Sequence, residues 1–118
     1  MRLKYIELKP GERHPLCFSL AATEAIVDEF GGLEAMTESI TSENTLVKIK
    51  AVDKVIGILL DAGRKYCAEM GIDMPPKIKC RPADLIDITD PSAVAAIFST
   101  IENDTNREIE AKNAEPTP

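Results

Sequence analysis

Tryptophan is absent from these 118 residues, phenylalanine and tyrosine together make up 4%, and there is a single histidine, His14. A core without aromatics is mostly aliphatic, and one histidine leaves little material for acid-base catalysis. Cysteine is sparse and unpaired in spacing: Cys17, Cys67 and Cys80 form no CxxC, and an odd count does not suggest a disulfide framework. Long apolar runs are missing too. The longest, Val55 to Leu60, is bounded by Lys54 and Asp61, and the first residues, Met1-Arg2-Leu3-Lys4-Tyr5, lack the apolar core of a signal peptide. No membrane contact is expected, and the reading is of a cytoplasmic chain. Neither a Gly-rich phosphate loop nor a GxSxG elbow occurs. Basic residues are outnumbered fourteen to twenty, and a net charge of -6 opposes nucleic acid as a partner.

What is present is a globular balance of 44% hydrophobic and 29% charged residues, in a length that suits one domain. Leu3 to Leu8 reads as a strand, Pro10-Gly11 as a type II turn, and His14 to Phe18 as the return strand, with Pro15 at a strand start or on an edge. Ser19 is placed to cap a helix bearing Leu20, Ala21, Ile26, Val27 and Phe30, which Gly31 or Gly32 ends. A second short helix runs from Leu33 to about Ile40 and stops at Thr41-Ser42-Glu43-Asn44.

The strongest periodicity extends from Leu46 to Met70, through Ile49, Val52, Ile56, Leu59, Leu60, Gly63, Tyr66 and Cys67 at steps of three and four. Such a helix organises the core. Gly57 and Gly63 inside it each cost about 1 kcal/mol against alanine, which marks close helix contact or a bend. Gly71 and Pro75-Pro76 end it. Pro82 opens a short helix through Ile86, and Asp90-Pro91 opens another over Ser92 to Ile101, with Val94, Ile97, Phe98 and Ile101 on its inner stripe. The expected fold class is α+β, mostly α: an N-terminal hairpin on a bundle of about four to five helices including one long central helix. Residues 1–103 form that single domain, and 104–118 a flexible acidic and polar tail.

Candidate chemical sites each have a plainer reading. His14, Cys17, Cys67 and Cys80 make a Cys3His zinc set by composition, but Cys67 lies mid-helix on the apolar face, so core cysteines and a surface histidine are expected instead. His14 with Cys17 as a nucleophilic pair lacks an orienting third group. Asp84, Asp87 and Asp90 could gather a divalent cation, yet the intervening Leu85, Ile86 and Ile88 point to an amphipathic turn. Lys77, Lys79 and Arg81 form a small basic loop without interleaved aromatics. No catalytic, cofactor or metal residue is therefore expected. The hairpin edge and the apolar helix faces suit protein binding or self-association.

The segment Leu16-Cys17-Phe18-Ser19-Leu20, leading through Ala25 and Ile26 to Phe30-Gly31-Gly32-Leu33-Glu34, resembles the start of tail assembly chaperones of long-tailed bacteriophages and prophages. The later order is similar as well: a long helix with Leu59-Leu60-Asp61-Ala62-Gly63-Arg64, a loop, then Leu85-Ile86-Asp87 and Asp90-Pro91. The resemblance spans roughly residues 3 to 103 and is carried mostly by structural residue types. It implies a non-enzymatic helper, with no catalytic residue, that binds the long helical tape-measure protein and assists assembly of the tail-tube protein around it. In many members a programmed frameshift appends a second domain, for which residues from Glu102 onward would serve as linker. Under this reading the expected contact surface is Leu20, Ile26, Val27, Phe30, Leu33 and Met36, against the alternative that these pack on the long helix. Competing readings are a small nucleic-acid-binding regulator, a metal-dependent enzyme and a subunit of another protein assembly.

Overall fold

The computed structural model describes residues 3–87 and 89–101. The domain boundary at 103 and the tail expected over 104–118 lie outside them. Strands β1 (Lys4–Lys9) and β2 (Glu12–Leu16) form an antiparallel hairpin, followed by helices α1 (Leu20–Phe30), α2 (Leu33–Ile40), α3 (Thr45–Met70) and α4 (92–101), with one 3-10 turn over Pro82–Asp84. The class is α+β, mostly α, built around one long helix. At about 1.5 Å per residue the 26 residues of α3 run about 39 Å. The longest dimension of the described residues is 51 Å.

The hairpin turns on Pro10-Gly11. Gly11 has φ +80°, a backbone conformation that L side chains rarely adopt and that the third position of a type II turn requires. Pairing runs from Lys4 opposite Leu16 to Glu7 opposite Arg13, and a bulge between Glu7 and Lys9 accommodates Leu8. The return strand thus starts at Glu12 and stops at Leu16, two residues earlier at each end than the sequence reading, and leaves Phe18 outside it. Pro15, fourth in β2, costs no ladder bond because it lies on the strand edge that turns toward α3.

That edge is where hairpin and helix meet. The Cys17 amide donates to the Leu59 carbonyl at 3.1 Å, and the Pro15 carbonyl lies against Gly63. A Cβ built on Gly63 would collide with the Pro15 carbonyl oxygen and stand 2.6 Å from its carbon and 3.1 Å from the Leu16 nitrogen. Gly63 therefore permits a close backbone approach, of helix to strand rather than helix to helix. Gly57 does not: an added Cβ there meets nothing within 4 Å, so of the two readings for that position, close contact or a bend, the close contact does not hold.

Ser19 caps α1 and Gly31 and Gly71 end α1 and α3 as expected, whereas Asn44, read only as part of the stop after α2, is the N-cap of α3. The Ser19 hydroxyl accepts from the Ala22 amide at 3.1 Å and the Asn44 side chain from the Val47 amide at 3.2 Å, while Gly31 and Gly71 end α1 and α3 with left-handed φ of 91° and 70°. After Gly71 the chain returns along α3 as an extended strap, as the stiff Pro75-Pro76 pair favours. The Arg64 guanidinium donates to the Pro75 carbonyl at 2.8 Å, and the Ala83 amide donates to the Asp53 carboxylate at 2.8 Å. Only Pro82–Asp84 is helical here, a single 3-10 turn instead of the helix expected through Ile86. At the start of α4 the Asp90 carboxylate accepts from the Ser92 amide at 2.9 Å and the Pro91 carbonyl from Ala95 at 3.0 Å.

The core gathers Ile6, Leu8 and Leu16 from the hairpin, Ile26 from α1, Met36 and Ile40 from α2, Val55, Ile56 and Leu59 from α3, and Ala93, Ile97 and Ile101 from α4. It holds no buried aromatic: Phe18, Phe30, Tyr66 and Phe98 pack partly buried at its margin. No helix among the described residues is long and apolar enough to cross a membrane.

Candidate partner-binding surface

The six expected contact residues separate by burial. Ile26 and Met36 are 0% and 1% exposed and belong to the core; they cannot also form a contact surface in this conformation, because the period that marks a binding stripe is the one that turns side chains toward α3. Phe30 and Leu33 are half-buried against that core. Leu20 and Val27 do face outward, at 89% and 43% exposure, and lie seven residues apart on one face of α1.

A second apolar surface begins α3. Leu46, Val47 and Ile49 are exposed, at 60%, 42% and 36%. Three large apolar residues within four helical positions cannot all turn inward, and here none is fully covered. The sequence holds that signal; what hid it is that Ile49 also fits the inward period with Val52 and Ile56.

Two grooves flank this first stretch of α3. One, of about 440 Å³, is lined by Phe30, Val47 and Ala51 with Glu29, Lys54 and Arg81 at its edges. The Glu29 carboxylate stands 3.8 Å from the Lys54 ammonium, and both residues line the groove. On the opposite flank a groove of about 280 Å³ lies between α3, the connection after Pro82 and the start of α4. Its apolar lining includes Ile49, Val52, Ile86 and Val94, and Asp87 and Asp90 stand at its border. Both carboxyls are held below the usual carboxylate range, Asp87 by the Thr89 amide and hydroxyl and Asp90 by hydrogen bonding from Ser92. They are therefore ionised at neutral pH. Asp53, which borders both grooves, is answered by the Arg81 guanidinium at 3.4 Å.

The remaining candidates disperse. Cys17 and Cys67 are buried and Cys80 is exposed, and no group of three or more metal-ligating side chains assembles among the described residues. The buried-thiol expectation is thus corrected for Cys80. Burial pushes the Cys67 thiol up, opposed by the nearby Arg64 guanidinium, so it is a poor nucleophile. His14 is not the expected surface histidine: it is 2% exposed, and it lines a pocket of about 210 Å³ together with Leu60 and Arg64 of α3 and Ile78 and Cys80 of the strap. Its Nε2 lies 3.4 Å from the Glu12 carboxylate without a hydrogen-bond partner among the described residues. In the basic loop, Arg81 is ion-paired with Asp53, which leaves Lys77 and Lys79 as a thin cationic patch on an acidic protein.

Comparison of the chain with protein-family models, curated proteins and solved structures finds no match in any of the three.

Proposed function

We propose that this chain is a non-enzymatic phage tail assembly chaperone, acting in the bacterial host cytoplasm, that binds the tape-measure protein and assists assembly of the tail-tube protein around it. The family part of this reading comes from the resemblance of residues 16–34 and of the later element order. The observation that carries it is the apolar start of α3, where Leu46, Val47 and Ile49 stand exposed between two grooves. A long helical client exposes apolar stripes before it is enclosed, and a helper that keeps it soluble must offer apolar surface of its own without losing its fold. Here fold and contact are divided along one helix: Ala51, Val52, Val55, Ile56 and Leu59 hold the core while Leu46, Val47 and Ile49 at its start are exposed.

Co-expression with the tape-measure protein encoded in the same phage or prophage tests the reading. The client is expected to become soluble and to co-purify; a client that stays insoluble and does not associate overturns it.

A further inference from the structure

We propose that the groove between α3 and the start of α4 seats an amphipathic helix that carries lysine or arginine beside its apolar stripe. This rests on the chaperone reading and deepens it by naming the chemistry of the client segment. Its apolar lining offers Ile49 and Val52 on one wall and Ile86 and Val94 on the other. Its volume, about 280 Å³, is nearly twice the roughly 150 Å³ of an apolar cavity that admits benzene, enough for two aliphatic side chains one helical turn apart.

Charge selects among occupants. Of the acidic residues at the border, Asp53 is matched by Arg81, whereas, among the described residues, Asp87 and Asp90 enter no ion pair and the one basic residue in the groove's lining is Lys48. The border is thus net acidic around an apolar floor, which favours a cationic flank and repels an anionic one. A second copy of this chain, with net charge -6, brings mostly acidic surface and is opposed by the same carboxylates.

The test uses the full chain and two synthetic helical peptides sharing one leucine stripe, one flanked by lysine and the other by glutamate. Fluorescence anisotropy at about 50 mM salt is expected to give the lysine peptide at least about tenfold tighter binding, with the advantage shrinking as salt rises. Asp87→Asn with Asp90→Asn keeps the Oδ1 that accepts from Thr89 and the Oδ1 that accepts from Ser92 while removing both charges, and should erase most of that preference. Ile49→Asp, at a partly exposed site, should abolish binding of both peptides with the fold intact. NMR shifts should move at Ile49, Ile86 and Val94. Equal affinity for the two peptides, no binding of either, shifts confined elsewhere, or self-association that blocks the groove would each overturn the inference. If the aspartate variant holds the tape-measure client as well as the native chain does, the groove assignment falls while the chaperone reading stands. If the native chain holds no client, the chaperone reading falls whatever the peptides do.

Discussion

Replacing Gly63 with alanine adds one methyl group at the point where α3 meets the hairpin backbone. Two effects oppose each other. In a helix interior the change favours folding by about 1 kcal/mol, through lower entropy of the unfolded chain and better helix propensity. Against it, the new Cβ meets backbone atoms of Pro15 and Leu16, and backbone cannot swing aside as the end of a long side chain can. Overpacking of this kind costs about 1–3 kcal/mol, and a clash with fixed backbone belongs at the upper end of that range. The net expectation is a loss of about 1–2 kcal/mol, a fall in Tm of roughly 4–15 °C for a domain of this size. Gly57→Ala is the matched control: same helix, same methyl, nothing within 4 Å, and so an expected gain of up to about 1 kcal/mol. Urea and thermal unfolding followed by circular dichroism compare the two, and hydrogen exchange at the Cys17 amide reports the strand-to-helix bond to Leu59 directly. Gly63→Ala should speed that exchange and Gly57→Ala should not. Equal shifts of the same sign in both variants would refute the close approach of β2 to α3.

Burial separates two of the apolar helix residues in a measurable way. Met36→Ala should cost about 2–5 kcal/mol in urea unfolding, and Val27→Ala no more than about 0.5 kcal/mol; similar values would contradict the division between core and surface. Acid should loosen the start of α4. The carboxyls of Asp87 and Asp90 titrate lower in the folded protein than in the unfolded chain, so their contribution is complete above the ordinary carboxylate range and is lost as pH falls through it and below. NMR shifts of the Thr89 and Ser92 amides should track this loss between about pH 5 and pH 2, and the double asparagine variant should flatten it.

Much of the fold was legible because its punctuation is local. Pro10-Gly11, Ser19, Gly31, Gly71 and Asp90-Pro91 each act on their own few residues, and the geometry follows from which φ or which orphan amide each one satisfies. The environment of His14 was not legible, since the pocket it lines is shared with Ile78 and Cys80, more than sixty positions along the chain. The glycines of α3 are alike in sequence, and only the arrival of Pro15 beside one of them distinguishes Gly63 from Gly57. Ile26 and Met36 were expected at the contact surface because an apolar stripe reads the same whether its partner is the protein's own core or another chain. Ile49 shows the reverse: its period points inward, yet the neighbours that would close over it leave a groove.

The central claim, that the exposed start of α3 holds the client, is tested most directly by co-purifying the tape-measure protein with the native chain and with the Leu46→Asp, Val47→Asp double variant. Both positions are exposed, so the variant should keep the native circular dichroism spectrum and unfold within about 1 kcal/mol of the native chain. The account predicts that the native chain retains soluble client and the variant releases it. A folded variant that holds the client undiminished would contradict the account.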